Sequence, residues 1–160
     1  MQKIASINLL VIAGIFLIIN FSALGLGSYL MYNGPGSDWY QNLNKAPWTP
    51  PGWVFGAAWT SIMICFSVFM AFLWKHEANK SMLIALFVLQ LVLNISWSPV
   101  FFYFHFVLSA LIIIVALTLL IGFFLFKYMG GLNWKSVFVV PYFVWLLLAS
   151  SLNAYILANN

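Results

Sequence analysis

The sequence predicts an all-α membrane protein: five transmembrane helices in one bundle, with residues 1–160 forming a single domain. Three observations lead there. Of the 160 residues, 65% are hydrophobic and only 5% charged, against about 45–50% and about 25% in an average soluble domain. The mean hydropathy is +1.05. The apolar residues fall in five long runs that do not alternate as barrel strands would, and lipid admits only helices or closed barrels. A span takes about 20 apolar residues, so the chain has room for five spans, short loops and almost nothing else.

The first span covers about 4–31. Lys3 and Ala23-Leu24-Gly25 resemble parts of a signal peptide, but the apolar run is too long for one, so a retained helix is expected. Small Ala23 and Gly27 allow another helix to approach closely. The loop 32–50 begins with the turn chemistry of Asn33-Gly34-Pro35-Gly36-Ser37-Asp38. Ser37 or Asp38 can cap a short helix to about Leu43. Thr49 suits an N-cap and Pro50 the first turn of the second span, 51–75. The loop prolines lower the ordering cost of closing over a ligand. Trp39, Tyr40 and Trp48 then read either as an interfacial aromatic belt or as part of a lid.

In the second span Trp59 and Met63 share a face, with Trp59 too deep for a simple interfacial Trp. In the third, about 81–104, Gln90 and Asn94 share a face with Trp97 and Phe101. An unpaired amide in lipid costs several kcal/mol, so both should face the interior, as glue between helices or as ligand contacts. Ser98-Pro99 should kink this span near its end. The fourth span runs about 106–128 and the fifth about 135–158. The fifth sets Tyr142, Trp145, Ala149, Leu152 and Asn153 at helical spacing, and Trp145 beside small Ala149 leaves a recess. One aromatic stripe is ordinary core; three, each with a hydrogen-bonding group, point to a shared pocket. Trp53, Trp74 and Trp134 fit a belt near helix ends.

Lys3, Lys75, Lys80, Lys127 and Lys135 fall on one side of the membrane and Lys45 alone on the other. The positive-inside rule therefore predicts a cytoplasmic N-terminus and an extracytoplasmic long loop, in an inner membrane. The net charge of +4 reflects a shortage of acids. Six scattered Lys form no phosphate-binding stripe, so no nucleic-acid partner is expected.

The chemistry that is missing narrows function. Asp38 and Glu77 are the sole carboxylates, which leaves no acid–base pair and no proton relay across the membrane. No metal site is expected, since His76 and His105 sit at opposite span ends. His105 reads as an interfacial polar residue, with axial haem ligation as the sharper alternative. One Cys, Cys65, excludes an intramolecular disulfide and covalent haem attachment through two Cys. Ser22, Ser98 and Ser150 lack partners for a hydrolytic triad.

Three segments carry a resemblance. They are Trp39-Tyr40-x-x-Leu43-x-Lys45-x-Pro47-Trp48-Thr49-Pro50-Pro51-Gly52-Trp53-Val54-Phe55-Gly56-x-x-Trp59-Thr60, then Leu89-Gln90-Leu91-x-Leu93-Asn94-x-x-Trp97-Ser98-Pro99-x-Phe101-Phe102, then Pro141-Tyr142-x-x-Trp145-x-x-x-Ala149-x-x-Leu152-Asn153. In order, spacing and layout the chain resembles the TspO/MBR family, the translocator or tryptophan-rich sensory proteins, over nearly its whole length. The resemblance implies a five-helix bundle, usually a homodimer, that binds porphyrins such as protoporphyrin IX and other flat apolar ligands under the first loop. It implies a pocket of Tyr40, Trp48, Trp59, Met63, Gln90, Asn94, Trp97, Trp145 and Ala149, with porphyrin as ligand and no cofactor required.

The function expected is an integral membrane receptor or sensor. The alternatives are light-dependent porphyrin degradation, in which Trp59 and Trp145 would act, and tetrapyrrole or sterol transport. The sterol motif of the family needs a Lys or Arg after its Tyr; after Tyr155 this chain has none. With no Arg, propionate binding falls to Lys45 or backbone groups. The missing intramembrane charge and inverted repeat speak against ion-coupled transport.

Overall fold

The structure is a computed structural model that describes residues 8–160; Lys3 and the expected start of the first span lie outside the described residues. The helices are α1 (Leu9–Leu30), α2 (Asp38–Asn42), α3 (Gly52–His76), α4 (Lys80–Phe102), α5 (Val107–Leu132) and α6 (Val140–Asn159). All but α2 have 20 to 26 residues. At about 1.5 Å per residue, each of these five can cross a hydrocarbon core of about 30 Å. No strand occurs among the described residues. The molecule is an all-α membrane bundle.

Helix ends follow local chemistry. Asn8 caps α1 by accepting from Leu10 N at 3.2 Å, and Asn79 caps α4 by accepting from Met82 N at 3.0 Å. The Ser37 hydroxyl accepts from Tyr40 N at 3.3 Å and starts α2. Thr49 does not cap the second span: α3 starts at Gly52, with Pro51 as a cap that offers no side-chain bond. A residue before proline is pushed out of the helical region. That constraint falls on Thr49 and Pro50, so the helix starts only once both prolines are passed.

Two further boundaries differ from expectation. The fourth span continues to Leu132, and a 3₁₀ segment, Asn133–Val139, occupies the expected start of the fifth. Asn133 turns the chain with φ +52°. Pro141 then lies in the first turn of α6, where its missing N–H breaks no helical bond. Pro99, in contrast, lies inside α4. The helix runs on to Phe102, and the Tyr103 and Phe104 amides both close on Pro99 O at 3.0 Å.

α1 packs against α3 and α4, and α5 against α4 and α6, with α3 also touching α6. The centre is aromatic: Phe66, Phe69, Phe124 and Tyr142 are fully buried. The outer faces stay apolar, with Ile18, Ile64, Val92, Leu119 and Leu147 exposed on the five long helices. Apolar exposure on every side suits lipid as the surrounding solvent.

One end of the bundle gathers the cations. The Lys80 ammonium donates to the carbonyls of Trp74 and Glu77, where α3 stops. Lys135 lies over the Phe72 ring at 5.0 Å and Lys127 over Tyr128 at 5.1 Å. Glu77 sits among them, accepting from Asn79 N at 3.0 Å and from the Tyr128 hydroxyl at 2.8 Å. Those two bonds, with help from Lys127, hold its carboxyl below the usual carboxylate range.

Candidate functional site

At the other end, under the 32–50 loop, the five long helices part around a cavity of about 590 Å³. Tyr142 lies behind its wall. This ring is fully buried and wedged edge-on against Trp59 at 5.9 Å and Phe66 at 5.3 Å. Its hydroxyl oxygen takes Gln90 Nε2–H at 2.9 Å, and the Asn94 amide meets the same oxygen at 2.6 Å through Nδ2. Gln90 and Asn94 are one helical turn apart, which is why one phenol reaches both.

The walls are aromatic. Trp97 stacks on Phe101 with centroids 5.3 Å apart. Its indole N–H donates to Asn153 Oδ1 at 3.2 Å, and Asn153 Nδ2 donates to Val107 O at 3.0 Å. That chain ties α4, α5 and α6 together beside the cavity. Trp145 meets Phe55 edge-on at 5.3 Å, and Ala149 lines the next turn of α6. On α1, Gly27 faces α4, where a Cβ would make an ordinary contact 3.5 Å from Ser98 Oγ.

The roof is the loop. Tyr40 packs edge-on over Phe101 and Phe102 at 6.2 and 5.3 Å, and burial raises its hydroxyl pKa above the ordinary tyrosine value. Lys45 Nζ donates to the carbonyls of Tyr40 and Gln41 at 2.8 and 3.0 Å, closing the end of α2. Aromatic and polar contacts pin the loop on both sides. Trp39 stacks on His105 at 4.0 Å. The Trp48 indole N–H donates to Ser151 Oγ at 3.2 Å, and Asn44 N–H donates to Asn160 Oδ1 at 2.8 Å.

Comparison of the sequence with known proteins points to one family. The sequence pattern of the TspO/MBR family fits residues 10–158. The chain belongs to the TspO/MBR family. It is 34% identical over 143 residues to the tryptophan-rich protein TspO of Chlorobaculum tepidum, covering 86% of this chain and 89% of that one. It is 34% identical over 116 residues to the tryptophan-rich sensory protein of Cereibacter sphaeroides, covering 72% and 73%. Against the human translocator protein the identity is 34% over 74 residues, 44% of each chain.

Of the nine positions drawn from the TspO/MBR resemblance, Tyr40, Trp59, Asn94, Trp97, Trp145 and Ala149 line the cavity. Three do not. Met63 is 1% exposed, in the closed core one turn below Trp59. Gln90 is equally buried and faces Tyr142. Trp48 is 52% exposed and packs edge-on with Tyr155 at 5.4 Å. His105 lies outside the cavity walls, under Trp39. Among the described residues no group of three or more His, Cys, Asp or Glu could hold a metal ion.

Sequence reasoning put Tyr142 and Asn153 on the pocket-facing stripe of the fifth span without naming them as site residues; Asn153 lines the cavity and Tyr142 lies behind its wall. Their signal was present: each is a polar group in a span, set at helical spacing from Trp145 or Ala149. The α5 wall, Ile114 and Leu117, carried no signal, because the same residue types also face lipid. Trp53 and Trp134 are largely exposed near helix ends, as a belt requires. Trp74 is half-buried beneath Lys80, whose ammonium lies 5.1 Å from its ring.

Proposed function

We propose that this integral membrane protein is a receptor or sensor that binds porphyrins, protoporphyrin IX and haem-like tetrapyrroles among them, and other flat apolar ligands beneath its first loop. The observation that carries the reading is the cavity of about 590 Å³ with Trp59, Trp97 and Trp145 on its walls. Small-molecule sites are typically about 300–1,000 Å³, mostly apolar, with a few placed polar groups. Three indoles offer broad π faces to a flat macrocycle, and Asn94 supplies one of the polar groups. Lys45, at the roof, is the cation within reach of an acidic side arm. The Lys distribution supports an inner membrane, a cytoplasmic N-terminus and an extracytoplasmic cavity mouth. The family resemblance supports a homodimer.

Titration of the detergent-solubilised protein with protoporphyrin IX tests the reading. Saturable quenching of the Trp fluorescence is expected. Quenching unchanged in a Trp59→Phe, Trp145→Phe double variant would remove the ligand from this cavity. A second reading, light-dependent breakdown of bound porphyrin, is favoured by the presence of Trp59 and Trp145 on one wall system. Illumination should then bleach the Soret band faster than with denatured protein, and equal rates would end that reading.

A further inference from the structure

A second group of aromatic and basic residues meets at the end of the bundle away from the cavity, where α3 stops and the 3₁₀ segment leads into α6. Phe72, Trp134 and Phe138 form a triangle of rings there. Their centroids are 6.4 Å apart for Phe72 and Trp134, 6.2 Å for Phe72 and Phe138, and 6.2 Å for Trp134 and Phe138. Trp134 is largely exposed. The Lys135 ammonium lies 5.0 Å from the Phe72 ring centre. Exposed Lys75 follows in the last turn of α3, on the Phe72 side of that helix. An apolar aromatic face thus carries two cations at its rim.

The chain offers these two cations no counter-charge. Asp38 and Glu77 are its only acidic side chains, and Asp38 starts α2 at the opposite end. Glu77 accepts from Asn79 N and from the Tyr128 hydroxyl at 3.0 and 2.8 Å, and the cation whose charge bears on it is Lys127. Lys80 is spent on the carbonyls of Trp74 and Glu77. The lysines at this end therefore divide: Lys80 and Lys127 are compensated within the fold, while Lys75 and Lys135 are not. A ring face attracts an ammonium but supplies no lone pair of its own, so Lys135, with three N–H donors, keeps donors for an anion.

We propose that this corner binds an anionic phospholipid, with its acyl chains against the Phe72–Trp134–Phe138 face and its phosphate at Lys75 and Lys135. Basic groups beside a span attract anionic headgroups, and an exposed Trp near a helix end sits at headgroup level. The site supplies both halves of what an anionic amphiphile needs. A free phosphate would use the lysines and waste the rings. A zwitterionic lipid would bring its own cation to the same rim. The site is remote from the cavity and independent of what the cavity binds.

Two measurements on the full chain test the proposal. In the first, the protein sits in phosphatidylcholine bilayers that hold a small share of lipid brominated near the headgroup end of its chains, either phosphatidylglycerol or phosphatidylcholine. Bromine quenches a nearby indole, and the native-minus-Trp134→Phe difference isolates Trp134. One or two lysine contacts predict that phosphatidylglycerol reaches Trp134 with about five- to thirtyfold the affinity of phosphatidylcholine. The ratio should fall about fivefold in Lys135→Gln and stay within about twofold of native in Lys127→Gln. Equal quenching by the two lipids would overturn the site. So would a ratio that falls as far in Lys127→Gln as in Lys135→Gln, the mark of diffuse surface charge.

The second measurement needs no Trp variant and decides the matter should Trp134→Phe not fold. Short-chain phosphatidylglycerol, short-chain phosphatidylcholine or inorganic phosphate is added to the protein in detergent at matched ionic strength, and thermal unfolding is followed. A ligand that binds only the folded state delays melting. Phosphatidylglycerol should delay it most in the native protein, and no more than phosphatidylcholine does in the Lys75→Gln, Lys135→Gln double variant. A delay of the same size in that double variant would overturn the site. An equal delay from inorganic phosphate would overturn the lipid as its occupant.

Discussion

Ala149→Leu is the substitution that most sharply separates a ligand cavity from a packing defect. Ala149 lines the cavity one turn beyond Trp145. Leu adds three carbons. At a share of about 30 Å³ each, the value for a water molecule, they occupy about 90 Å³, or roughly a sixth of the 590 Å³ available. The empty protein has room for them, so thermal unfolding in detergent should be unchanged or later, by up to about 0.8 kcal/mol per buried carbon. A rigid macrocycle that fills the same slot has no such room. Overpacking costs about 1–3 kcal/mol, which weakens binding by about five- to 150-fold. The assay is the protoporphyrin quenching titration run beside a melting curve. Affinity within about twofold of native, in protein that melts no earlier than native, would refute the assignment of the cavity as the site.

Other perturbations probe the frame around the cavity. Asn153→Leu removes the bridge between Trp97 and Val107. At about 0.6 kcal/mol per interhelical bond in membrane hosts, the two bonds predict a loss of about 1.2 kcal/mol in detergent unfolding, and an unchanged midpoint would show that the bridge is idle. Glu77 has a depressed carboxyl pKa in the folded state. Its contribution is therefore complete above the ordinary glutamate value, 4.5, and is lost as pH falls through the lower folded value. Glu77→Gln should melt earlier than native at pH 7 and lose that acid-dependent step; identical pH–melting profiles would argue against it. Gly131→Ala would set a Cβ 2.5 Å from His76 Nε2. The imidazole must move, but it ends an exposed side chain that can swing clear, so the gain of about 1 kcal/mol for Ala over Gly in a helix should leave melting unchanged or later, and an earlier midpoint would show that His76 is held in place.

How far the sequence foretold this molecule depends on which solvent each residue meets. The helices were legible because lipid leaves the backbone no alternative, and a run of 20 apolar residues needs no partner to declare itself. The boundaries at Thr49 and Lys135 were not, because proline pairs and a 3₁₀ segment act through φ and ψ, which composition does not record. The site was half legible for a related reason. In a membrane an amide such as Asn94 must turn inward, so polarity marks a face; it cannot say whether the amide meets a ligand or, like Gln90, another side chain. Aromatic residues are more ambiguous still, since lipid, core and cavity all accept them. Trp53 and Trp59 are six residues apart on one helix and differ in exposure because one lies at its first turn and the other beneath the loop. Only the packing of Tyr142 across the bundle divides those roles: its ring closes the core over Met63 and Gln90 and leaves Trp59, Asn94 and Trp97 open to whatever enters above it. A single buried phenol behind the cavity wall thus joins the two amides. Tyr142→Ala should therefore lower stability in detergent unfolding by about 3–5 kcal/mol, and an unchanged midpoint would show that the ring does not hold the core.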